Sequence, residues 1–136
     1  MYKVFLVDDE IVIREGIRNS FPWEGNGGSE FALVGEAPDG EIALQMMQDV
    51  KPDILITDIR MPFMDGMQLC EAVSHTMPWV QIVILSGYDD FSYAQQAISL
   101  GVKEYLLKPV SAQELLEVLE RIAAASISTV TPPTTR

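Results

Sequence analysis

The chain has 136 residues, 48% hydrophobic and 21% charged, enough for one domain of ordinary size to bury a core without disulfide or metal staples. Twenty acidic residues against nine basic give a formal charge of −11, and no window gathers Lys or Arg into a stripe, so this chain is not expected to hold nucleic acid or an anionic membrane. The single cysteine, Cys70, rules out an internal disulfide, and no apolar run has the length of a signal peptide or a membrane span; together these point to the cytoplasm.

The first apolar run, Val4 to Val7, leads into a stretch where Ile13 and Ile17 recur at helical spacing. The long connection from Pro22 to Glu30, with three glycines, reads as a surface insertion. Phe31 to Val34 is the second predicted strand, Pro38-Asp39-Gly40 a turn suited to capping the helix that follows, and Ile42, Met46 and Val50 that helix's apolar positions. Lys51-Pro52-Asp53 separates it from the third strand, Ile54 to Ile56. Leu69 and Val73 mark a third helix, with Cys70 in its core and His75 on the surface near its end. Ile82 to Leu85 form a fourth strand. Phe91, Ala94 and Ile98 mark a fourth helix and Tyr105 to Leu107 a fifth strand; Ser111 with Glu114 is a capping-box pattern opening a last helix on Leu115, Leu119 and Ile122. Met46, Met47, Met61, Met64 and Met67 are expected to fill gaps in core and loops. Residues 126–136, rich in Ser, Thr and Pro, read as a linker or frayed tail behind a domain of residues 1–125. Five strands alternating with five helices predict an α/β fold with a doubly wound parallel sheet.

Charged groups stand just past three of the predicted strands: Asp8-Asp9 after the first, Asp58 after the third, Lys108 after the fifth. The carboxyl ends of the strands of an open α/β sheet line one crevice, so these distant residues are expected to share a pocket. Acidic residues before a helix are explained equally well by capping, and Asp8-Asp9-Glu10 alone leaves that choice open. Asp58 tips the balance, because Ile59-Arg60-Met61-Pro62 follows it and no helix begins there to be capped. Clustered carboxylates call for a shared proton or a divalent cation. A hard cation on Asp9, Asp58 and a backbone carbonyl, with waters completing an octahedron, would answer that need, and the pattern favours a magnesium-dependent phosphoryl site on Asp58. Lys108 has a plainer role as a salt bridge and can play both parts. Ser86, ending the fourth strand, is placed to donate its hydroxyl to an oxygen on a modified Asp58, while Tyr105 by default is a packed aromatic.

Taken together, Leu6-Val7-Asp8-Asp9-Glu10, Ile56-Thr57-Asp58-Ile59-Arg60-Met61-Pro62 with Met64-Asp65-Gly66, Leu85-Ser86-Gly87 and Tyr105-Leu106-Leu107-Lys108-Pro109 resemble the receiver domain of bacterial two-component response regulators over roughly Tyr2 to Ala124. The resemblance implies a flavodoxin-like sheet of five strands and five helices in which Asp58 accepts a phosphoryl group from the phosphohistidine of a sensor histidine kinase. It implies further that Asp9, Asp58 and the Arg60 carbonyl bind Mg2+, that Asp8 holds a water on the metal, that Lys108 contacts the phosphoryl group, and that Ser86 and Tyr105 form the switch. Ser86-Gly87-Tyr88-Asp89-Asp90-Phe91-Ser92-Tyr93-Ala94, Trp23-Glu24 and Val34-Gly35-Glu36-Ala37 resemble the subgroup joined to AraC-type helix-turn-helix domains, which implies a C-terminal DNA-binding domain in the full-length protein and leaves room for a phosphorylation-dependent dimer. The glycine-rich stretch at Gly25 to Gly28 is longer than such receivers usually carry. Such a domain is a signalling module rather than a turnover enzyme. Three rival readings fit less well. An aspartate-nucleophile phosphatase needs a second acid where this chain has Arg60. A flavin module needs a phosphate-binding loop where it has Asp8-Asp9-Glu10. A docking-only pseudo-receiver leaves the complete acidic pocket without a use.

Overall fold

A computed structural model describes residues 1–24, 29–87, 101–102 and 104–130, with side chains as far as 125. The described elements run β1 (Tyr2–Val7), α1 (Ile11–Ser20), β2 (Phe31–Ala37), α2 (Gly40–Val50), β3 (Ile54–Asp58), α3 (Gly66–Thr76), β4 (Gln81–Ser86), β5 (Glu104–Leu107) and α4 (Ala112–Val130). All five strands are parallel in the order β2-β1-β3-β4-β5. The helix expected on Phe91, Ala94 and Ile98 lies outside the described residues, so α4 here is the expected last helix.

Strand alternation splits the core into two layers. Phe5, Val7, Leu55, Ile82 and Ile84 face α2 and α3, where Ala43, Met47, Leu69, Cys70 and Val73 meet them. Val4, Leu6, Ile54, Ile56, Val83 and Leu85 face the other way, toward Ile17 of α1 and Leu115, Val118, Leu119 and Ile122 of α4. Strands buried on both faces read as continuous apolar runs, which is why the sequence located them. Asp39 caps α2 by accepting from Ile42 N at 2.9 Å, and the Ser111/Glu114 box opens α4 with both reciprocal bonds at 3.1 Å.

Four expectations need correction. β2 runs on to Ala37, three residues past the predicted end at Val34, because β1 continues to pair with it. The buried face of α2 carries Ala43 and Met47, whereas Ile42 and Met46 are exposed. The chain after Phe21 is not all surface insertion: Trp23 is buried, packs against Phe21 with ring centroids 4.2 Å apart and ring planes tilted by 43°, and donates its indole N–H to the Ile17 carbonyl. Finally, helical backbone continues through 126–130, where the sequence suggested a frayed tail.

Because β1 lies between β2 and β3, successive connections leave it in opposite directions, and the chain parts around the crevice at the ends of β1 and β3. Val7 is in register with Thr57, so the next residues out, Asp8 and Asp58, stand side by side at the mouth of that crevice.

Candidate functional site

Lys108 follows β5 at the sheet's edge, and its main-chain N–H bonds to the Ser86 carbonyl at 2.9 Å, carrying the β4–β5 ladder one step further. From there the ammonium reaches back across β4. Its Nζ lies 2.8 Å from Asp8 Oδ2, 3.1 Å from Asp58 Oδ2 and 3.2 Å from Glu10 Oε1. Asp8 is fully buried, and the Lys108 ammonium is the close charged neighbour of its Oδ2. The other Asp8 oxygen accepts from Glu10 N at 2.9 Å, and Asp58 Oδ1 accepts from Ile59 N at 2.7 Å. One carboxylate oxygen from each of Asp8, Asp9, Glu10 and Asp58 lies within 4.8 Å of the others.

Two of these carboxylates are deeply buried, Asp8 at 0% and Asp58 at 4% exposure, while Asp9 and Glu10 are open to solvent. Burial first, and then the neighbouring Asp8 charge, push Asp58 up to about 6 against the opposing pull of Lys108. Burial likewise raises Asp8. For Lys108 burial alone would lower the pKa, but the Asp8 and Asp58 carboxylates outweigh it and hold the ammonium above its ordinary value. Among the described ion pairs, the single Lys108 ammonium therefore serves three of the four clustered carboxylates. Clustered hard oxygen donors, with more carboxylates than paired cations among the described residues, are what a small divalent cation would satisfy.

The family now follows from comparison: residues 4–120 match the response regulator receiver domain. The chain belongs to that family. This receiver domain is 44% identical over 124 residues to the uncharacterized transcriptional regulatory protein YesN of Bacillus subtilis (strain 168), an overlap that takes 91% of this chain and 33% of that protein. The transcriptional regulatory protein HptR of Staphylococcus aureus (strain NCTC 8325 / PS 47) is 41% identical over 122 residues, 90% of this chain and 46% of its own. The chain thus spans between a third and about half of the length of these curated relatives. Among solved structures, the REC domain of AraT, a response regulator from Geobacillus stearothermophilus, matches with a TM-score of 0.86 at 40% identity, covering 96% of this chain and 98% of that one. A two component transcriptional regulator AraC from Clostridium phytofermentans ISDg matches with a TM-score of 0.84 at 28% identity, covering 96% and 99%.

Within the receiver domain, the expected residues Asp8, Asp9, Asp58 and Lys108 come together. Arg60 is exposed on the loop leaving β3. Ser86 ends β4 fully buried, with no hydrogen-bond partner for its Oγ among the described residues. Tyr105, half-buried, pairs in register with Ile84 and packs against the same core layer, so it shares a face of the sheet with Ser86 two residues along β4. Val34, Gly35, Glu36 and Ala37 close β2, but most of the Ser86 to Ala94 segment lies outside the described residues.

Three participants were not singled out from sequence. Glu10 joins Lys108, a role its place in the acidic run hinted at. Thr57, fully buried, donates to the Asp58 carbonyl at 2.9 Å. Gly66 lets the β3–α3 loop fold back onto Asp58: its N–H bonds to the Ile59 carbonyl at 2.7 Å, and a Cβ there would fall 2.1 Å from the Asp58 carbonyl oxygen. Backbone cannot yield cheaply to such an overlap. Gly66→Ala is expected to lose on the order of 2 kcal/mol of stability in urea melts and to shift the Asp58 amide resonance. An unchanged midpoint and an unmoved resonance would contradict this placement.

Proposed function

We propose that this receiver domain is a phosphoacceptor, with Asp58 taking a phosphoryl group from the phosphohistidine of a sensor histidine kinase. The observation that carries the reading is the clustering of Asp8, Asp9, Glu10 and Asp58 with the Lys108 ammonium paired to Asp8 and Asp58, and Asp58 pushed up to about 6 by burial and by Asp8. In the transfer an Asp58 carboxylate oxygen forms the new O–P bond as the P–N bond of the donor breaks, and the imidazole nitrogen leaves with the electron pair. A phosphoryl group in flight spreads negative charge over its oxygens, so positioning and neutralisation are most of what the protein has to supply. Lys108, held charged by its carboxylate partners, provides one cation that can turn from Asp58 to a phosphoryl oxygen.

The donor set fits magnesium held by Asp9, Asp58 and the Arg60 carbonyl, with Asp8 acting through a water. Bound there, the ion would supply the charge neutralisation that lets a dianionic phosphoryl group approach three carboxylates. Labelling by a small phosphodonor is therefore expected to require magnesium and to vanish in excess chelator. Undiminished labelling in chelator would sink this part of the mechanism.

Read-out is assigned to Ser86 and Tyr105. The Ser86 hydroxyl, buried and without a hydrogen-bond partner among the described residues, is poised to donate to a phosphoryl oxygen on Asp58, and its inward movement frees space beside Tyr105 on the same face. Such a shift works only between states a few kcal/mol apart. Since the hydroxyl has no hydrogen-bond partner among the described residues, Ser86→Ala is expected to leave unphosphorylated stability unchanged or up to about 1 kcal/mol higher. The variant should still accept phosphate at Asp58. Its amide shifts at Tyr105 to Leu107 should respond less than wild type to a phosphoryl mimic; identical responses would remove Ser86 from the switch. The names of YesN and HptR, both transcriptional regulatory proteins, support a transcriptional output, which we place in a DNA-binding domain of the full-length protein, with the receiver acting in the cytoplasm as a signalling module rather than a turnover enzyme.

A further inference from the structure

A second cation, Arg14, stands beside the acidic turn. Arg14, in the second turn of α1, donates from one terminal nitrogen to the main-chain carbonyl of Asp8 and from Nε to Glu36 Oε1 at 3.2 Å. Its side chain is largely covered, at 13% exposure. Arg18, one helical turn on and much more open, bonds the other Glu36 oxygen at 2.6 Å but has no hydrogen bond to Asp8 among those described.

We propose that Arg14 is a positioning residue of the phosphoacceptor site: by clamping the Asp8 carbonyl against Glu36 it holds the turn from Asp8 to Glu10 in the shape that binds a divalent cation. The proposal rests on the phosphoacceptor reading above. The turn has few other supports. α1 has no side-chain cap from Glu10 and no acidic residue in its first turn, so its entry is fixed around the Asp8 peptide itself. That peptide is held on both sides, its N–H by the Ala37 carbonyl at 3.1 Å and its carbonyl by Arg14. The Asp8 carboxylate then closes the turn through Glu10 N.

The chemistry of the contact suits a metal site. A guanidinium bound to the Asp8 or Asp9 carboxylate would compete with the cation for the same oxygens. Arg14 binds a main-chain oxygen instead, and Glu36 neutralises its charge, so it orients the carboxylates without occupying them or repelling the ion. The two contacts use different nitrogens of the guanidinium, which a planar fork of donors supports and a single ammonium does not. Arg18 makes the idea separable from plain stability, because it keeps Glu36 paired when Arg14 is removed.

The test is a titration of the full chain with magnesium alone, followed by amide chemical shifts at Asp9 and Asp58. Arg14→Met is expected to weaken binding on the order of tenfold, the low end for loss of a group that supports metal ligands. Arg14→Lys, the milder variant, is expected to lose about threefold because it reaches one partner and not both. Arg18→Met, which removes the other Glu36 contact, is expected to stay within about twofold of wild type. Equal affinity in Arg14→Met and wild type, or equal weakening in the Arg14 and Arg18 variants, overturns the clamp while leaving the phosphoacceptor reading intact. A wild-type chain without magnesium-dependent shifts at these residues overturns that reading and the clamp with it.

Discussion

Asp58→Asn is expected to lose phosphoryl labelling entirely and, with divalent cations chelated, to unfold at a higher temperature than wild type at neutral pH. The first effect follows from removing the nucleophile. The second comes from the charge the folded state has to bury. Folding raises Asp58 from an ordinary carboxylate value of 3.8 to about 6. Between those values the folded state binds more protons than the unfolded one, so the contribution of Asp58 makes stability fall as pH rises. Below about pH 4 the penalty is absent, and above about pH 6 it is fully in force. Asparagine cannot ionise, so the variant should gain on the order of 1–3 kcal/mol over wild type at neutral pH, and the gain should shrink in acid. Thermal melts in chelator across this range check it. A variant less stable than wild type at neutral pH would mean that Asp58 is held by attractive contacts that outweigh its burial.

Lys108→Met acts in the opposite direction. Without the ammonium, Asp8, Asp58 and Glu10 lose the cation they share among the described residues, and a buried carboxylate that loses its partner costs far more than the pair contributed. Asp8 and Asp58 should then titrate still higher, so the loss of stability should be largest at neutral pH and should recover in acid as both take up protons. Labelling by a small phosphodonor should slow by about 10²–10³, the usual effect of deleting one charge stabiliser of a transition state. A rate within about threefold of wild type would show that the ammonium only pairs the carboxylates and takes no part in the transfer.

Much of this site was legible because the chain places charged side chains where an apolar strand has just ended. Asp8, Asp58 and Lys108 each stood out against a buried run, and the parallel sheet brings those ends together whatever the loops do. Residues whose importance lies in main-chain contacts left no such mark. Arg14 lies within a helix and reads as a solvated surface charge; only the fold shows its guanidinium against the Asp8 carbonyl. Gly66 was visible as part of a motif, but its reason, the approach of the loop to Asp58, depends on a distance no spacing encodes. In α2 the spacing pointed to Ile42, Met46 and Val50, whereas Ala43 and Met47 form a second apolar stripe about 100° round the helix. Packing against the sheet selected the second. Trp23 was hidden by its setting, since glycines and a proline around it signal a surface loop while its ring is in fact a lid on the layer beneath α1.

The central claim is that Asp58 receives the phosphoryl group. It is tested most directly by incubating the wild-type chain with a small phosphodonor and magnesium, trapping the acyl phosphate by reduction, and mapping the modified peptide. The account predicts modification at Asp58 alone; a phosphoryl group found instead on His75, Ser86 or the Asp8-Asp9 pair would contradict it.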